Sequence, residues 1–332
     1  MTGPASPAPA GGLLAVHAHP DDETLATGAL LATWAAAGRP VTVVTCTRGE
    51  RGEVIDTPSH PTGLGHLEGD GPALAAHRET EVAAALAALG GRPGAVGHAF
   101  LDDLEAPGTP AGVRFEDSGM AWVAPGIAGP ADDAPATAFA RVPLDVAAVR
   151  LAALVREVQP AVVATYEERG GYGHPDHVRT HEVVVRAIRL AADPGAAVPG
   201  EAWADAELWQ AVTPSAALRA GRRALAASPQ AGELAARAGL TFPDPDAPLP
   251  PLARHDAELA DHDAVREVDV APVLDRVLAA MRAHATQVQH ATAAPPGPGD
   301  AGVLGWYSLS NGVLAPVLPQ ECYLVSRHAG RR

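Results

Sequence analysis

The stretch LLAVHAHPDDE, residues 13–23, decides the fold. Its first five residues form a short apolar run after Gly11-Gly12, the mark of a strand buried on both faces. HAHPDDE then turns polar, and an Ala- and Leu-rich segment (24–37) runs on to Gly38. That segment reads as a helix closed by a glycine just past its end. Strand, polar turn and helix open an α/β sheet. The polar turn then sits at the carboxyl end of the strand, where open α/β sheets bind ligands.

Working outward, the alternation continues. VTVVTCT (41–47) is β-branched and reads as a second strand. Helices are predicted over 72–89, 146–158 and 176–192, with a strand at AVVAT (161–165) between the last two. This rhythm implies a Rossmann-like α/β fold, a mostly parallel sheet with helices on both faces. The catalytic core is expected over 13–195. Residues 1–12 (MTGPASPAPAGG) read as a disordered lead-in, and 196–332 as a C-terminal α/β extension that completes the substrate pocket within one domain. There, 266–270 reads as a strand and 271–287 as a helix. Three stretches rich in Gly, Pro and Asp break the pattern: 51–70, 106–137 and 228–252. Loops of that length in a compact domain are usually functional or disordered; the third, with PDPDAPLPP, reads as a flap or linker.

Composition removes whole classes of function. The chain has 332 residues and a net charge of −15, and all 24 of its basic residues are Arg. Without Lys there is no Schiff-base chemistry and no phosphate-binding Walker Lys. The acidic balance argues against nucleic acid and anionic membrane as partners, and leaves a small neutral substrate open. Two cysteines, Cys46 and Cys322, are too few for a disulfide framework or a four-thiolate zinc site. Cys46 reads as a buried free thiol. No uncharged apolar stretch approaches the ~18 residues of a membrane span. The lead-in does not look like a signal peptide, so the expected location is cytoplasmic.

The chemistry lies in two clusters that resemble each other. His19-Pro20-Asp21-Asp22 follows the first strand, and Gly170-Gly171-Tyr172-Gly173-His174-Pro175-Asp176-His177 follows the strand at 161–165. Each Pro is expected to open a helix. His19 and Asp22 are three apart, as are His174 and His177, and side chains at that spacing share a helix face. If the two strands are near neighbours, the clusters converge into a His-Asp-His set with an open position, the arrangement of a catalytic zinc. Imidazole and carboxylate suit Zn²⁺, and also Fe²⁺ or Co²⁺. Spacing alone leaves Asp21 and Asp22 interchangeable as ligand and base. His17 reads as a core histidine. Glu50 and Glu53 read as outer support or loop charge, and His255, His262, His290 and His328 as solvated.

AHPDDE and HPDH resemble the LmbE-like (PIG-L) family of zinc-dependent N-acetylglucosamine deacetylases, and the resemblance extends over most of the chain. VTCTRGERGEV (44–54), DSGM (117–120), HATQ (284–287) and LSNG (309–312) narrow it to the branch acting on N-acetylglucosaminyl-inositol in mycothiol biosynthesis. A sibling branch of mycothiol S-conjugate amidases, and deacetylases of other acetylated sugars, are the alternatives. The resemblance implies one Zn²⁺ per subunit, with Fe²⁺ a second choice, held by His19, Asp22 and His177. It implies Asp21 as general base, His174 and Tyr172 acting on oxyanion and leaving group, and Asp176 positioning His174. Arg78 and Asp117 would hold the sugar and inositol hydroxyls of a small neutral pseudo-disaccharide, with Met120 close by in the same substrate-binding set. Taken alone, Arg78 on a helix reads as solvated, and His284 and Gln287 as helix-end residues.

Overall fold

Leu13–His17 forms β1, and all five residues are buried. Such a strand needs apolar cover on both sides. The computed structural model describes residues 11–124, 126–260, 265–295 and 302–327. After β1 come α1 (Asp22–Ala36), β2 (Val41–Thr45), α2 (Gly71–Gly90), β3 (Gly97–Phe100), β4 (Met120–Ala124) and β5 (Ile127–Pro130). Next are α3 (Leu144–Val158), β6 (Val162–Tyr166), α4 (Gly170–Gly173), α5 (Pro175–Ala192), β7 (Glu207–Pro214), α6 (Ser215–Ala227) and α7 (Pro229–Ala238). Then follow β8 (Ala253–Arg254), α8 (Asp256–Ala260), β9 (Val265–Asp269), α9 (Leu274–Ala283), β10 (Gln289–Ala293), β11 (Gly305–Ser308), β12 (Leu314–Val317) and β13 (Gln320–Arg327).

The main sheet has the order β3-β2-β1-β6-β7-β13-β9, with β8 beside β7. Strands β3 through β7 in that order run parallel. β13 pairs antiparallel with β7, and β9 with β13. From β1 the chain moves to β2 on one side, while β6 occupies the other. Strand order therefore reverses between β1 and β6, which is where such sheets place ligands.

Alternate residues of β1 serve opposite faces. Leu13 and Ala15 join a core with α1, α2 and α9, through Leu30, Leu89 and Val277. Leu14 and Val16 join a core with α3 and α5, through Leu151 and Val184. Aromatics are scarce, and three are spent on one joint. Trp34 of α1 meets Trp209 of β7 edge-on at 5.8 Å, and Trp209 tilts against Tyr323 of β13 at 5.5 Å. The first core thus draws on α1 as well as on residues beyond 200.

Local signals explain the helix ends. The Asp70 carboxylate accepts the Ala73 N–H at the start of α2, and Gly91 ends that helix in the left-handed conformation. Helix α1 is broken at Thr27, whose φ is −141°. The freed N–H groups of Ala29 and Leu30 donate to the Glu321 carboxylate of β13, at 2.7 and 2.9 Å. A residue some 290 positions away therefore caps the second half of α1.

Arginine does the work that mixed cations would share elsewhere. Arg48, Arg150 and Arg156 are buried. Arg150 donates to the carbonyls of Asp102, Leu104 and Pro110, which orders the loop after β3. Arg156 gathers the carbonyls of Leu190, Ala191, Asp193, Val198 and Gly200 past the end of α5. A planar fork with five donors suits such carbonyl clusters.

Several expectations are corrected. The 228–252 stretch begins with helix α7, capped by the Ser228 hydroxyl on Ala231 N–H. The 106–137 stretch contains the β4–β5 hairpin. The helix expected over 271–287 is a 3₁₀ turn followed by α9, and ends at Ala283. Pro20 does not open α1, which starts at Asp22 with Asp21 as its cap. The expected lead-in up to residue 10, and His262 and His328, lie outside the described residues. Among those residues no helix is long and apolar enough to cross a membrane.

Candidate metal centre and active site

Because β1 and β6 are hydrogen-bonded neighbours, the polar segments that follow them meet. His19 does not share a helix face with Asp22, since it lies before α1. Instead the turn folds back, and the His19 N–H donates to Asp22 Oδ2 at 3.0 Å. Across the switch point His174 caps α5, and His177 lies on its first turn.

Three side-chain atoms form a nearly equilateral triangle. His19 Nδ1 is 3.3 Å from Asp22 Oδ2, His177 Nε2 is 3.3 Å from the same oxygen, and the two nitrogens are 3.2 Å apart. Tetrahedral zinc with nitrogen and oxygen ligands at about 2.0–2.1 Å would space them about 3.3–3.4 Å apart. The ring tautomers suit the same purpose. His177 Nδ1 faces the Gly170 carbonyl at 3.2 Å, so it carries the proton and leaves Nε2 a lone pair. His19 Nε2 faces Asp176 Oδ2 at 3.3 Å, which likewise leaves Nδ1 free to coordinate. Two wider groupings, His19-His174-His177 and His19-Asp117-Asp176, have ligand atoms within 4.8 Å of one another. They surround the tighter triangle.

The charge balance asks for a cation. Asp22, Asp117 and Asp176 are buried and all lie within 3.7 Å of a His19 nitrogen. Burying carboxylates together is costly unless positive charge joins them. Burial opposes ionisation of Asp22, but His177 and His19 outweigh it and hold its carboxyl well below the usual range. Asp21 is different. Burial and then the charge of Asp22 push its carboxyl up to about 8. Its backbone has φ 116° and ψ −33°, outside every region that non-glycine residues favour. Such a residue costs of order 1–3 kcal/mol and persists only where its surroundings enforce it.

Glu23 provides part of that enforcement. Its Oε2 accepts the Asp21 N–H at 3.0 Å, and its Oε1 is 2.7 Å from His284 Nε2. Both side chains are fully buried. Gln287 Nε2 donates to the Pro20 carbonyl at 2.6 Å. His284 and Gln287 are therefore tied to the HPDDE turn.

His174 is buried, and burial together with the charges of His19 and His177 pushes its pKa well below the usual range. Its Nδ1 accepts the Asp176 N–H. An amide can only donate, so neutral His174 carries its proton on Nε2. Asp176 is the residue expected to position His174, and the contact between the two runs through its main chain. The Asp176 carboxylate takes the Ser118 N–H and hydroxyl and faces His19. Ser118 and Asp117 come from the DSGM segment. The Tyr172 ring stands edge-on to His177 at 5.1 Å and tilts against exposed Trp122 of the hairpin at 6.0 Å. Burial and Asp22 raise its hydroxyl above the usual range, so it remains a donor.

Arg78 is buried, contrary to the helix-surface reading. It donates to the carbonyls of Gly49 and Glu53, while its Nε, also buried, has no partner. Met120 opens the hairpin. Glu50 accepts the Asp117 N–H, and Glu53 is exposed. His17 is buried with its Nε2 on the Thr27 hydroxyl, and its Nδ1 has no partner. His255 is exposed as expected, but His290 is only half-exposed and its Nε2 is buried.

The GlcNAc-PI de-N-acetylase (PIG-L) description matches residues 14–188, from β1 through α5. That span contains the whole triangle. The chain belongs to the PIG-L family. Among its relatives, a 1D-myo-inositol 2-acetamido-2-deoxy-alpha-D-glucopyranoside deacetylase of Kineococcus radiotolerans is 43% identical over 313 residues, covering 94% of this chain and 76% of that protein. Its namesake from Nocardioides sp. is 43% identical over 278 residues and covers 83% of each chain. That from Streptomyces avermitilis is 39% identical over 318 residues, 95% of this chain and 92% of that one.

Within this PIG-L site, the reading of separate motifs missed Tyr166, Ser118 and the Glu23–His284 pair. Tyr166 stacks on His177 at 4.2 Å, and its hydroxyl accepts the Ala18 N–H. Its place directly after AVVAT was the one available signal.

Proposed function

We propose that this protein is a Zn²⁺-dependent amidohydrolase that removes the N-acetyl group of 1-O-(2-acetamido-2-deoxy-glucopyranosyl)-myo-inositol, in the cytoplasm, as a step of mycothiol biosynthesis. The carrying observation is the triangle of His19 Nδ1, Asp22 Oδ2 and His177 Nε2, with a carboxylate beside it that takes no part in it. The names of the relatives support the substrate.

His19, Asp22 and His177 would hold the metal. Bound there, zinc supplies Lewis-acid polarisation of the amide carbonyl and acidifies a water. Asp21 takes the proton from the attacking water as the C–O bond forms. The positive charge of a cation in the triangle would draw its carboxyl back down from about 8. The tetrahedral carbon then carries a negative oxygen. The Tyr172 hydroxyl and the His174 Nε2–H are the donors for it, and one such donor is worth about 10²–10³ in rate. The proton held by Asp21 passes to the amine nitrogen as the C–N bond breaks, and acetate leaves. His174, a neutral ring with its proton on Nε2, acts on the oxyanion as a hydrogen-bond donor. Arg78, Asp117 and Met120 are proposed to line the sugar and inositol side.

The test is amine release from N-acetylglucosaminyl-inositol by the zinc-loaded protein, with a mycothiol S-conjugate as competitor. Faster turnover of the acetylated sugar is expected. Preference for the conjugate would move the protein to the amidase branch, and no turnover of either would reject both substrates.

A further inference from the structure

The turn that bears Asp21 is held by a segment more than 260 positions away. Residues 284–287, His-Ala-Thr-Gln, lie just past α9 and touch three separate parts of the molecule. His284 Nε2 reaches Glu23 Oε1 at 2.7 Å, and Gln287 Nε2 reaches the Pro20 carbonyl at 2.6 Å. Thr286 donates its N–H and hydroxyl to Glu81 of α2, at 2.8 and 2.6 Å. The Thr286 carbonyl accepts the Ile55 N–H, and the Ala285 carbonyl faces His60 Nε2. The segment is thus anchored to α2 and to the 55–60 loop, and presents two polar side chains to the turn.

Those two side chains bracket the strained residue. Gln287 holds the carbonyl of Pro20, just before Asp21. His284 holds Glu23, whose other oxygen takes the Asp21 N–H. The single peptide group that joins Pro20 to Asp21 is therefore held at both ends, its carbonyl by Gln287 and its N–H by Glu23 backed by His284, and it leads into the residue whose φ stands at 116°. We propose that His284 and Gln287 are positioning residues that hold Asp21 in its strained positive-φ conformation, and so set the direction of its carboxylate toward the reacting water. This rests on the reading of Asp21 as the base. Neither side chain touches the triangle, so the role separates from metal binding.

The experiment compares His284→Ala, His284→Gln and Gln287→Leu with the wild type, all zinc-loaded, by metal content, kcat, KM and a crystal structure. His284→Ala is expected to keep one metal per chain and a KM within about twofold, while kcat falls at least tenfold. His284→Gln keeps an N–H that reaches Glu23 and should recover most of kcat, which a purely space-filling role would not produce. Gln287→Leu, at a half-buried position, serves if His284→Ala does not fold, and should lower kcat with KM unchanged. A kcat within twofold of wild type in both His284→Ala and Gln287→Leu would overturn the proposal, as would loss of metal along with activity. The backbone gives a readout that needs no turnover: Asp21 should relax to negative φ in the variant that loses kcat. An unchanged φ overturns the proposal even if the substrate assignment has failed for the wild type.

Discussion

His19 Nδ1 stands 3.2 Å from His177 Nε2, across 158 positions of sequence, and both face a single oxygen of Asp22. Two imidazoles and a carboxylate converge on one point because two neighbouring parallel strands end there. His19→Ala or His177→Ala should lose the metal, whereas Asp21→Asn should retain it and lose turnover by about 10²–10⁴. Metal analysis of the purified variants checks this. Metal loss in Asp21→Asn would show that base and ligand have been exchanged.

In the proposed reaction Tyr172 bears on the transition state more than on binding. Tyr172→Phe should lower kcat by about 10²–10³ and leave KM within a few-fold. Steady-state kinetics would separate the two, and a rise in KM alone would assign Tyr172 to substrate binding.

Gly173 has φ +93°, and a Cβ built on it would lie 2.7 Å from the carbonyl oxygen of Ala128 in β5. Gly173→Ala must therefore displace the GGYG turn or the hairpin. Stability should fall by roughly 1–3 kcal/mol and kcat/KM should drop, with metal content unchanged. Denaturant melts and metal analysis together test it; a variant equal to wild type in both stability and kcat/KM would refute the close approach.

Glu321 gives a pH signature far from the metal centre. Burial pushes its carboxyl up from 4.5 to about 7, against the hydrogen bonds from Tyr323, Ala29 and Leu30. In the unfolded chain it ionises in the usual range. Folding therefore carries no penalty from this group below about pH 4.5; the penalty grows as pH rises and is complete above about 7. Its full size is up to about 3 kcal/mol. Glu321→Gln lacks this titration, so its stability relative to wild type should improve from pH 5 to about pH 7 and level off by pH 8. Unfolding free energies across that range decide it, and a constant difference would mean that Glu321 does not titrate there.

The parts of the fold that could be read in advance are those with dense local signals. β1, β2 and β6 are continuous apolar runs, and α1, α2, α3 and α5 carry Ala, Leu and Val between clear stop residues. Their ends were expected within two residues or so. β7 (ELWQAVTP) and β13 (QECYLVSR) mix polar and apolar residues, because one flanks the edge of the parallel set and the other pairs antiparallel. β3 is only four residues at a sheet edge. In the site, spacing and motif marked the residues of the triangle, since each group lies within four positions. It could not mark the partners of Glu23 or Pro20, which are tertiary contacts. Nor could it mark the burial of Arg78, an isolated cation in an Ala-rich helix whose glycine neighbours Gly49 and Gly52 leave room for its side chain.

The capping of α1 by Glu321 also orders events during synthesis. Residues 13–192, which include the triangle, emerge from the ribosome well before β13 exists. Until β13 docks, the Ala29 and Leu30 N–H groups lack their carboxylate, and Trp34 lacks Tyr323 behind Trp209. The apolar side of α1 and α2 that α9 covers lacks that cover until residues 274–283 are made, and uncovered apolar surface is what makes growing chains prone to associate. The part of the chain that carries the chemistry is made first and closed last.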